Sequence, residues 1–247
     1  MLNIFISGVT GRVGRILLTK IIQEPSLGIA GGSSNATNES IGKDLGIYNG
    51  TEALGVNITD ALESKENIDA IIDFSESKNS IKLLRFASEN NIPTLVGTTG
   101  FAKSELEELV ELANHFPLLI APNTSIGIVL VKRMLEAISS ELNLFSIPEI
   151  YERHHEEKKD TPSGTALDLA KGLSLLGNYS DEIEIQSERL GESSGEHRIT
   201  LKRENELIEI SHTALDRSLF ADGAIEAVKW IFSKPSGLYT MNDIYSS

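Results

Sequence analysis

The chain begins with Leu2-Asn3-Ile4-Phe5-Ile6-Ser7, an apolar run of strand length, and passes directly into Gly8-Val9-Thr10-Gly11-Arg12-Val13-Gly14. Val13, Ile16, Leu17, Lys20 and Ile21 then trace one face of a helix. A strand, a glycine turn and a helix in that order constrain the fold more than any other feature of the sequence. Glycines there allow a tight turn and let a pyrophosphate approach the backbone, while the helix start stabilises its charge. The spacing is Gly-x-x-Gly-x-x-Gly rather than the standard dinucleotide fingerprint, and three glycines in a turn are weak on their own. The surrounding strand and helix favour the dinucleotide reading over a plain turn. Arg12 is the side chain suited to a phosphate.

The first half continues in the same alternation. Leu27–Gly32, Ala70–Phe74, Thr94–Val96 and Pro117–Ala121 read as strands, and Ser77–Asn90 and Ser104–Asn114 as helices. Such repetition predicts a parallel, doubly wound sheet. The second half changes character. A long helix is expected over about Ser125 to Leu142, a strand over Ile147–Arg153 and a helix over Thr165–Leu176. Glu182–Arg189, His197–Lys202 and Leu207–His212 then follow at the spacing of an antiparallel meander, and Arg217–Phe232 closes as a helix. The expected fold is α/β: a Rossmann-like doubly wound parallel sheet plus a second α+β domain with a mixed, mostly antiparallel sheet. The boundaries are 1–124 with 217–247 for the first domain, and 125–216 for the second.

Composition removes several classes of function. The 247 residues hold 22 Lys+Arg against 36 Asp+Glu, a formal charge of −14, and no cysteine. A disulfide-stapled domain and a cysteine-ligated metal protein are excluded. The acidic field repels phosphate backbones, so no nucleic-acid partner is expected. No apolar run approaches a membrane span and no targeting segment is evident, so a cytoplasmic protein without a membrane partner is expected.

The fingerprint also calls for an acid after the second strand, to bond ribose hydroxyls. Gly31-Gly32-Ser33-Ser34 stands there, and neither NADH nor NADPH is selected. Gly97-Thr98-Thr99-Gly100 and Ala121-Pro122-Asn123-Thr124 each follow a strand, where open α/β sheets bind ligands. Either loop alone reads equally as a polar turn; the pair favours a cofactor rim.

The most informative segment is His154-His155-Glu156-Glu157-Lys158-Lys159-Asp160-Thr161-Pro162-Ser163-Gly164-Thr165. Thr161 suits an N-cap and Pro162 a first helical position. The amides of Ser163, Gly164 and Thr165 would then be first-turn donors able to hold a carboxylate. Lys158 adds a compact positive charge, and His154 or His155 titrates near neutrality. Together they fit a reductase of an anionic unsaturated substrate. A solvated charged loop and a ligand-free capped helix explain only parts of the segment. A metal site is disfavoured, because adjacent strand residues face opposite ways and two lysines repel a cation. His115 reads as a surface residue, and His197 and His212, in expected strands, read as structural.

Together these segments resemble the 4-hydroxy-tetrahydrodipicolinate (dihydrodipicolinate) reductase family of bacterial lysine and diaminopimelate synthesis. The likeness spans nearly the whole chain. It rests on Gly8-x-x-Gly11-Arg12-Val13-Gly14, Asp73-Phe74-Ser75, Gly97 to Phe101, Ala121 to Gly127, Gly195-Glu196-His197 and Phe220-Ala221-x-Gly223-Ala224. The most specific block is Glu152-x-His154-His155-x-x-Lys158-x-Asp160-x-Pro162-Ser163-Gly164-Thr165-Ala166. The resemblance implies an oxidoreductase that passes hydride from NADPH or NADH to a cyclic imine dicarboxylate. It implies His154 and Lys158 as the proton-handling pair, with His155, Ser163, Gly164 and Thr165 binding substrate. Gly8, Val9, Thr10, Gly11, Arg12, Val13, Gly97, Thr98, Thr99, Ala121, Pro122, Asn123 and Thr124 would line the cofactor. No metal is implied, and a homotetramer built through the second domain's sheet is. The chain departs from the family where Thr124 replaces a frequent Phe, where the ribose acid is missing, and where the segment between Asn178 and Gly195 is short. Two other readings compete: a related dehydrogenase of an amino acid such as aspartate, and a non-catalytic nucleotide sensor on the same fold.

Overall fold

A computed structural model describes residues 1–179 and 182–245. The chain divides into two compact units, Met1–Thr124 with Phe220–Ser247, and Ser125–Leu219.

Among the described residues, the first unit is built on seven parallel strands. In chain order the elements are β1 (Leu2–Ser7), α1 (Arg12–Gln23), β2 (Leu27–Ser33), α2 (Leu45–Tyr48), β3 (Ile58–Thr59), β4 (Ala70–Asp73), α3 (Ser77–Asn90), β5 (Thr94–Val96), α4 (Lys103–Leu112) and β6 (Pro117–Ile120). The strands lie in the order β11-β6-β5-β4-β1-β2-β3, where β11 is Gly237–Tyr239 near the chain's end. The order reverses at β1, whose neighbours are β2 and β4. That reversal is the topological switch point at which such sheets bind ligands, beyond the carboxyl ends of their strands. The strands are short and buried, as Ala70-Ile71-Ile72-Asp73 shows, and strands covered on both faces need this unbroken apolar pattern. Ile71, Ile81, Leu84, Val96, Leu109, Phe116 and Leu118 close one core cluster. Each such side chain contributes roughly 1.5–3 kcal/mol of transfer free energy.

The second unit holds α5 (Ile126–Ala137), a single 3-10 turn at Leu142–Leu144, β7 (Glu149–His154), α6 (Gly164–Gly177), β8 (Ile185–Arg189), β9 (Glu196–Arg203) and β10 (Glu206–Thr213). Its sheet runs β10-β9-β7-β8. Val131, Leu135, Ile150, Leu169, Leu173, Ile199 and Leu201 form its core. The chain then enters α7 (Ser218–Ile231) and ends on α8 (Met241–Ile244).

Three expectations are corrected. The helix expected to reach Leu142 ends at Ala137, where the backbone tightens: the Ser139 amide donates to Glu136 O, three residues back, at 3.2 Å. The run Glu182–Arg189 does not join a meander: β8 begins at Ile185 and pairs with β7 in parallel. α6 connects those two strands, and a helical crossover returns the chain in the same direction. Only β9 and β10 make the expected antiparallel hairpin. Ser180 and Asp181, within the short segment between Asn178 and Gly195, lie outside the described residues. Finally, α6 is capped by Ser163, whose hydroxyl accepts from the Ala166 amide, and not by Thr161. Thr161 and Pro162 precede the helix, joined by a cis peptide bond. Among the described residues no helix is long and apolar enough to cross a membrane.

Candidate active site

In the first unit, the carboxyl ends of β1, β5 and β6 carry every segment proposed for the cofactor. Gly8 turns the chain out of β1 at φ +80°, and a Cβ there would sit 2.3 Å from the Phe74 carbonyl oxygen. The turn therefore needs glycine on both conformational and steric grounds. The Gly8 and Val9 amides both donate to the Ser33 carbonyl, at 3.0 and 2.9 Å, and Gly11 N–H donates to Gly8 O at 2.9 Å. Val9 is fully buried, so it holds the loop to β2 rather than facing a ligand. The ligand-facing part of the loop is the start of α1. Its N-cap is Gly11, which has no side chain to accept from the first turn. The amide end led by Arg12 and Val13 is thus available to an anion. Arg12 is exposed at that end.

Thr10 sits beside the end of β2. Its hydroxyl lies 2.5 Å from that of Ser34 and accepts from Asn38 Nδ2 at 3.2 Å. Neutral hydroxyls and amides occupy the place where the fingerprint has an acid. A crevice of about 410 Å³ opens here, lined by Ser7, Gly8, Ser33, Ser34, Ser75 and other residues.

Asp73, which sequence reasoning named only as part of a motif, organises the rest. Its carboxylate is completely buried. It accepts from Thr98 Oγ1 at 2.9 Å, from the Ser75 amide at 3.2 Å and from Ser80 Oγ. Gly97 N–H donates to Asp73 O at 2.8 Å. Thr98 is therefore committed to the scaffold, whereas Thr99 is exposed and open to a ligand. In the next loop, Ala121 is buried, with its amide on Val96 O. Thr124 is also buried and donates to Phe220 O at 2.7 Å. Pro122 is exposed and Asn123 half-buried, so they supply the accessible part of this rim.

The second unit gathers the histidine block. One face of its sheet carries Ile150, Ile185 and Ile199 in register, and two residues further along the polar set Glu152, Ser187 and His197. His212 is paired with His197 on β10, and His154 lies beside Arg189. The face thus turns from apolar core to ionisable groups where β7 ends. Glu152 has no exposed side-chain surface and pairs with His154 Nδ1 and with Arg189, whose guanidinium lies 2.9 Å from Oε1. Burial alone would raise its pKa; hydrogen bonds from Arg189 and His154 reverse that and hold the carboxyl below the usual range. For His154, burial pushes the imidazolium pKa down and Glu152 opposes it, while Lys158 and Arg189 add to the depression. Burial takes His197 further, down to about 3, with the neighbouring His154 contributing.

Lys158 is partly buried and pairs with Asp160 at 2.9 Å. Its amide donates to His155 O at 3.2 Å, and its charge bears on His154. His155 is half-buried, with its amide on Ser193 O at 3.0 Å. Ser163 is not a free donor. Its amide donates to Glu152 Oε1 at 3.3 Å, and its hydroxyl lies 3.2 Å from His197 Nε2. Gly164, by contrast, is exposed with open space where a Cβ would stand. The first turn of α6 is thus sterically open at Gly164, whose amide bonds the Asp160 carboxylate. His197, set aside as structural in the sequence, stands with its ring centroid 5.1 Å from that of His154. The only sequence signal for this was a strand alternation placing both on the inner face. Glu152, His154 and His197 offer ligand atoms within 4.8 Å of one another. However, Glu152 is neutralised by Arg189, and two cations lie near His154, so the local charge opposes a metal ion.

Comparison with known proteins agrees with this architecture. Residues 2–124 match the family described as "Dihydrodipicolinate reductase, N-terminus", and residues 127–245 match "Dihydrodipicolinate reductase, C-terminus". The chain belongs to the dihydrodipicolinate reductase family. Among relatives of this family, the 4-hydroxy-tetrahydrodipicolinate reductase of Chromohalobacter salexigens is 36% identical, over 99% of this chain and 98% of the relative. That of Myxococcus xanthus is 33% identical, over 99% and 97%. A solved structure, a dipicolinate-bound dihydrodipicolinate reductase from Paenisporosarcina sp. TG-14, superposes with a TM-score of 0.77 at 23% identity, covering 97% of each chain. The reductase architecture thus holds over both units, and the family's N- and C-terminal matches meet within three residues of Thr124.

Proposed function

We propose that this chain catalyses the NAD(P)H-dependent reduction of 4-hydroxy-tetrahydrodipicolinate to tetrahydrodipicolinate, a step of lysine and diaminopimelate biosynthesis. The observation that carries the assignment of roles is the cluster of His154, Lys158 and the exposed start of α6 at Gly164, where no side chain stands in the way. The substrate is a cyclic dicarboxylate, and an amide-rich turn beside a lysine suits a carboxylate. The reaction takes up one hydride and one proton and releases one water. NAD(P)H supplies the hydride when bound. Arg12 and the uncapped start of α1 would hold its pyrophosphate, and Thr99, Pro122 and Asn123 would border its nicotinamide end. His154 would supply the proton, with Lys158 offsetting negative charge that grows on the ring as hydride arrives. His155 would help to hold the substrate.

The neutral cluster of Thr10, Ser34 and Asn38 supports use of either NADH or NADPH, since it has neither a carboxylate to repel a 2′-phosphate nor an arginine to require one. We also propose a homotetramer joined through the second unit's sheet, and a cytoplasmic location. The exposure of Leu207 and Ile208 on β10 supports the former.

Initial rates with NADH and NADPH on the cyclic imine, for the wild type and Lys158→Ala, test the assignment. Substrate-dependent oxidation of cofactor is expected, with a loss of about 100-fold or more in the variant. Unchanged turnover in the variant would remove Lys158 from the mechanism. Preference for an amino acid over the imine would overturn the substrate, and cofactor binding without oxidation would make the chain a sensor.

A further inference from the structure

His154 can act as a proton donor only if one ring nitrogen is held and the other is presented to the reacting atoms. The structure shows what holds it. Nδ1 faces Glu152, two residues back on the same face of β7. Nε2 faces Gly195, where a Cβ would stand 3.0 Å from it, so the glycine keeps that nitrogen clear. Glu152 is in turn held on its other oxygen by Arg189 and the Ser163 amide. Arg189 does more than neutralise it. The same guanidinium donates to the Asp160 carbonyl at 2.6 Å and to the Glu188 carbonyl at 2.7 Å. Asp160 is the ion-pair partner of Lys158. One buried carboxylate thus anchors the imidazole directly, and through Arg189 it anchors the loop that carries Lys158.

We propose that Glu152 is a positioning residue for the reduction: it keeps a proton on His154 Nδ1 in both charge states, so that the imidazolium gives its Nε2 proton to the substrate and is left neutral with the proton on Nδ1, and with Arg189 it sets the His154–Lys158 arrangement. The proposal rests on the reading of His154 as the proton donor. Carboxylates orient histidines in this way wherever one ring nitrogen must be reserved for chemistry. The charged and titratable groups around His154 are Glu152 on β7, Lys158 on the following loop, Arg189 on β8 and His197 on β9. Glu152 is the only anion among these four, so removing its charge leaves cations and neutral rings against the imidazolium.

Glu152→Gln keeps the shape and an acceptor oxygen while removing the charge. Rate–pH profiles for kcat should show the fall on the alkaline side, where His154 loses its proton, moved to lower pH by about one unit. The variant's kcat should drop roughly 10- to 100-fold, with KM for the imine changed less than threefold. Glu152→Asp, which restores the charge, should return the alkaline limb to within a few tenths of a unit of the wild type. An unmoved limb in Glu152→Gln would overturn the proposal, and so would a loss confined to KM. A readout without turnover separates this from the functional assignment. In protein labelled with 15N-histidine, neutral His154 of the wild type should carry its proton on Nδ1. A proton on Nε2 would overturn the proposal even in an active enzyme. A wild type inactive on the imine but with the Nδ1 proton in place would sink the functional reading and leave the pairing standing.

Discussion

His197 lies on β9, about 5% exposed, and it should make the folded chain sensitive to acid. The Ser163 hydroxyl accepts from Ala166 N–H, which leaves its own hydrogen for His197 Nε2. A neutral ring can accept that hydrogen on Nε2. Burial, with the nearby His154 adding to it, brings its pKa down to about 3, from an ordinary value of 6.5. A depressed histidine destabilises on acidification. Below about pH 6.5 the unfolded chain takes up a proton that the folded chain refuses, so stability falls with pH until about pH 3. Each unit in that window costs about 1.4 kcal/mol. From pH 6.5, where the unfolded ring is already half protonated, to pH 4.5 the loss from this one ring is roughly 2 kcal/mol, a sizeable part of a typical folding free energy of about 5–15 kcal/mol.

His197→Gln removes the titration and keeps an oxygen near the position of Nε2 to accept from Ser163. At pH 7 the variant should be less stable by about 1–2 kcal/mol, from imperfect packing and hydrogen bonding. On going to pH 4.5, however, it should lose about 2.5 kcal/mol less than the wild type. Urea unfolding followed by far-ultraviolet circular dichroism, at half-unit steps from pH 7 to pH 4.5, measures both. Carboxylates that also weaken the fold in acid are common to both proteins and cancel in the difference. Parallel stability curves for wild type and variant would refute the argument, as would a His197 ring proton resonance that titrates near pH 6.

Two further outcomes test the cofactor unit. Asp73→Asn should turn an amide N–H₂ against at least one of the donors that Asp73 now accepts from; cofactor Kd is expected to rise at least tenfold by fluorescence titration, and the fold to weaken by about 1–3 kcal/mol in urea. Gly8→Ala meets both a positive φ and the Phe74 carbonyl, so it should lower the melting temperature by a loss of about 2 kcal/mol or more, and an unchanged melting curve would contradict the geometry of the turn.

The first unit was legible because local pattern and tertiary role coincide there. A strand buried on both faces must be apolar throughout, as Ala70-Ile71-Ile72 is, and the turn out of β1 must be glycine where the Phe74 carbonyl closes on it. The pairing of the second sheet was less legible. β8 and β9 lie close in sequence, and strand spacing alone makes them hairpin partners. Yet α6 carries the chain back so that β8 joins the far side of β7, and β9 takes the near side. Short β2–β3 pairing and the closing β11 were invisible for a related reason: two or three residues are too few to show a period.

The limits of the site reading follow from the same physics. His154, Lys158 and Gly164 could be found because the chemistry sits in one contiguous stretch. Their supports could not, because they arrive from other strands. His197 and Glu152 face each other across the β7–β9 pairing, and His154 and Arg189 across β7–β8. A glutamate and an arginine 37 positions apart look like two of many charges on an acidic chain until a register joins them. The same holds for the overall charge of −14, which says nothing about how the molecule holds an anion. That capacity is local: the uncapped start of α1 beside Arg12, and the exposed start of α6 near Lys158, whose surroundings Arg189 keeps from becoming net negative by cancelling Glu152. If that cancellation is what matters, replacing Arg189 should harm the site more than replacing Glu152 does. The first leaves an unpaired buried carboxylate, the costliest kind of vacancy in such a network, while the second leaves a cation that can still reach the Asp160 and Glu188 carbonyls.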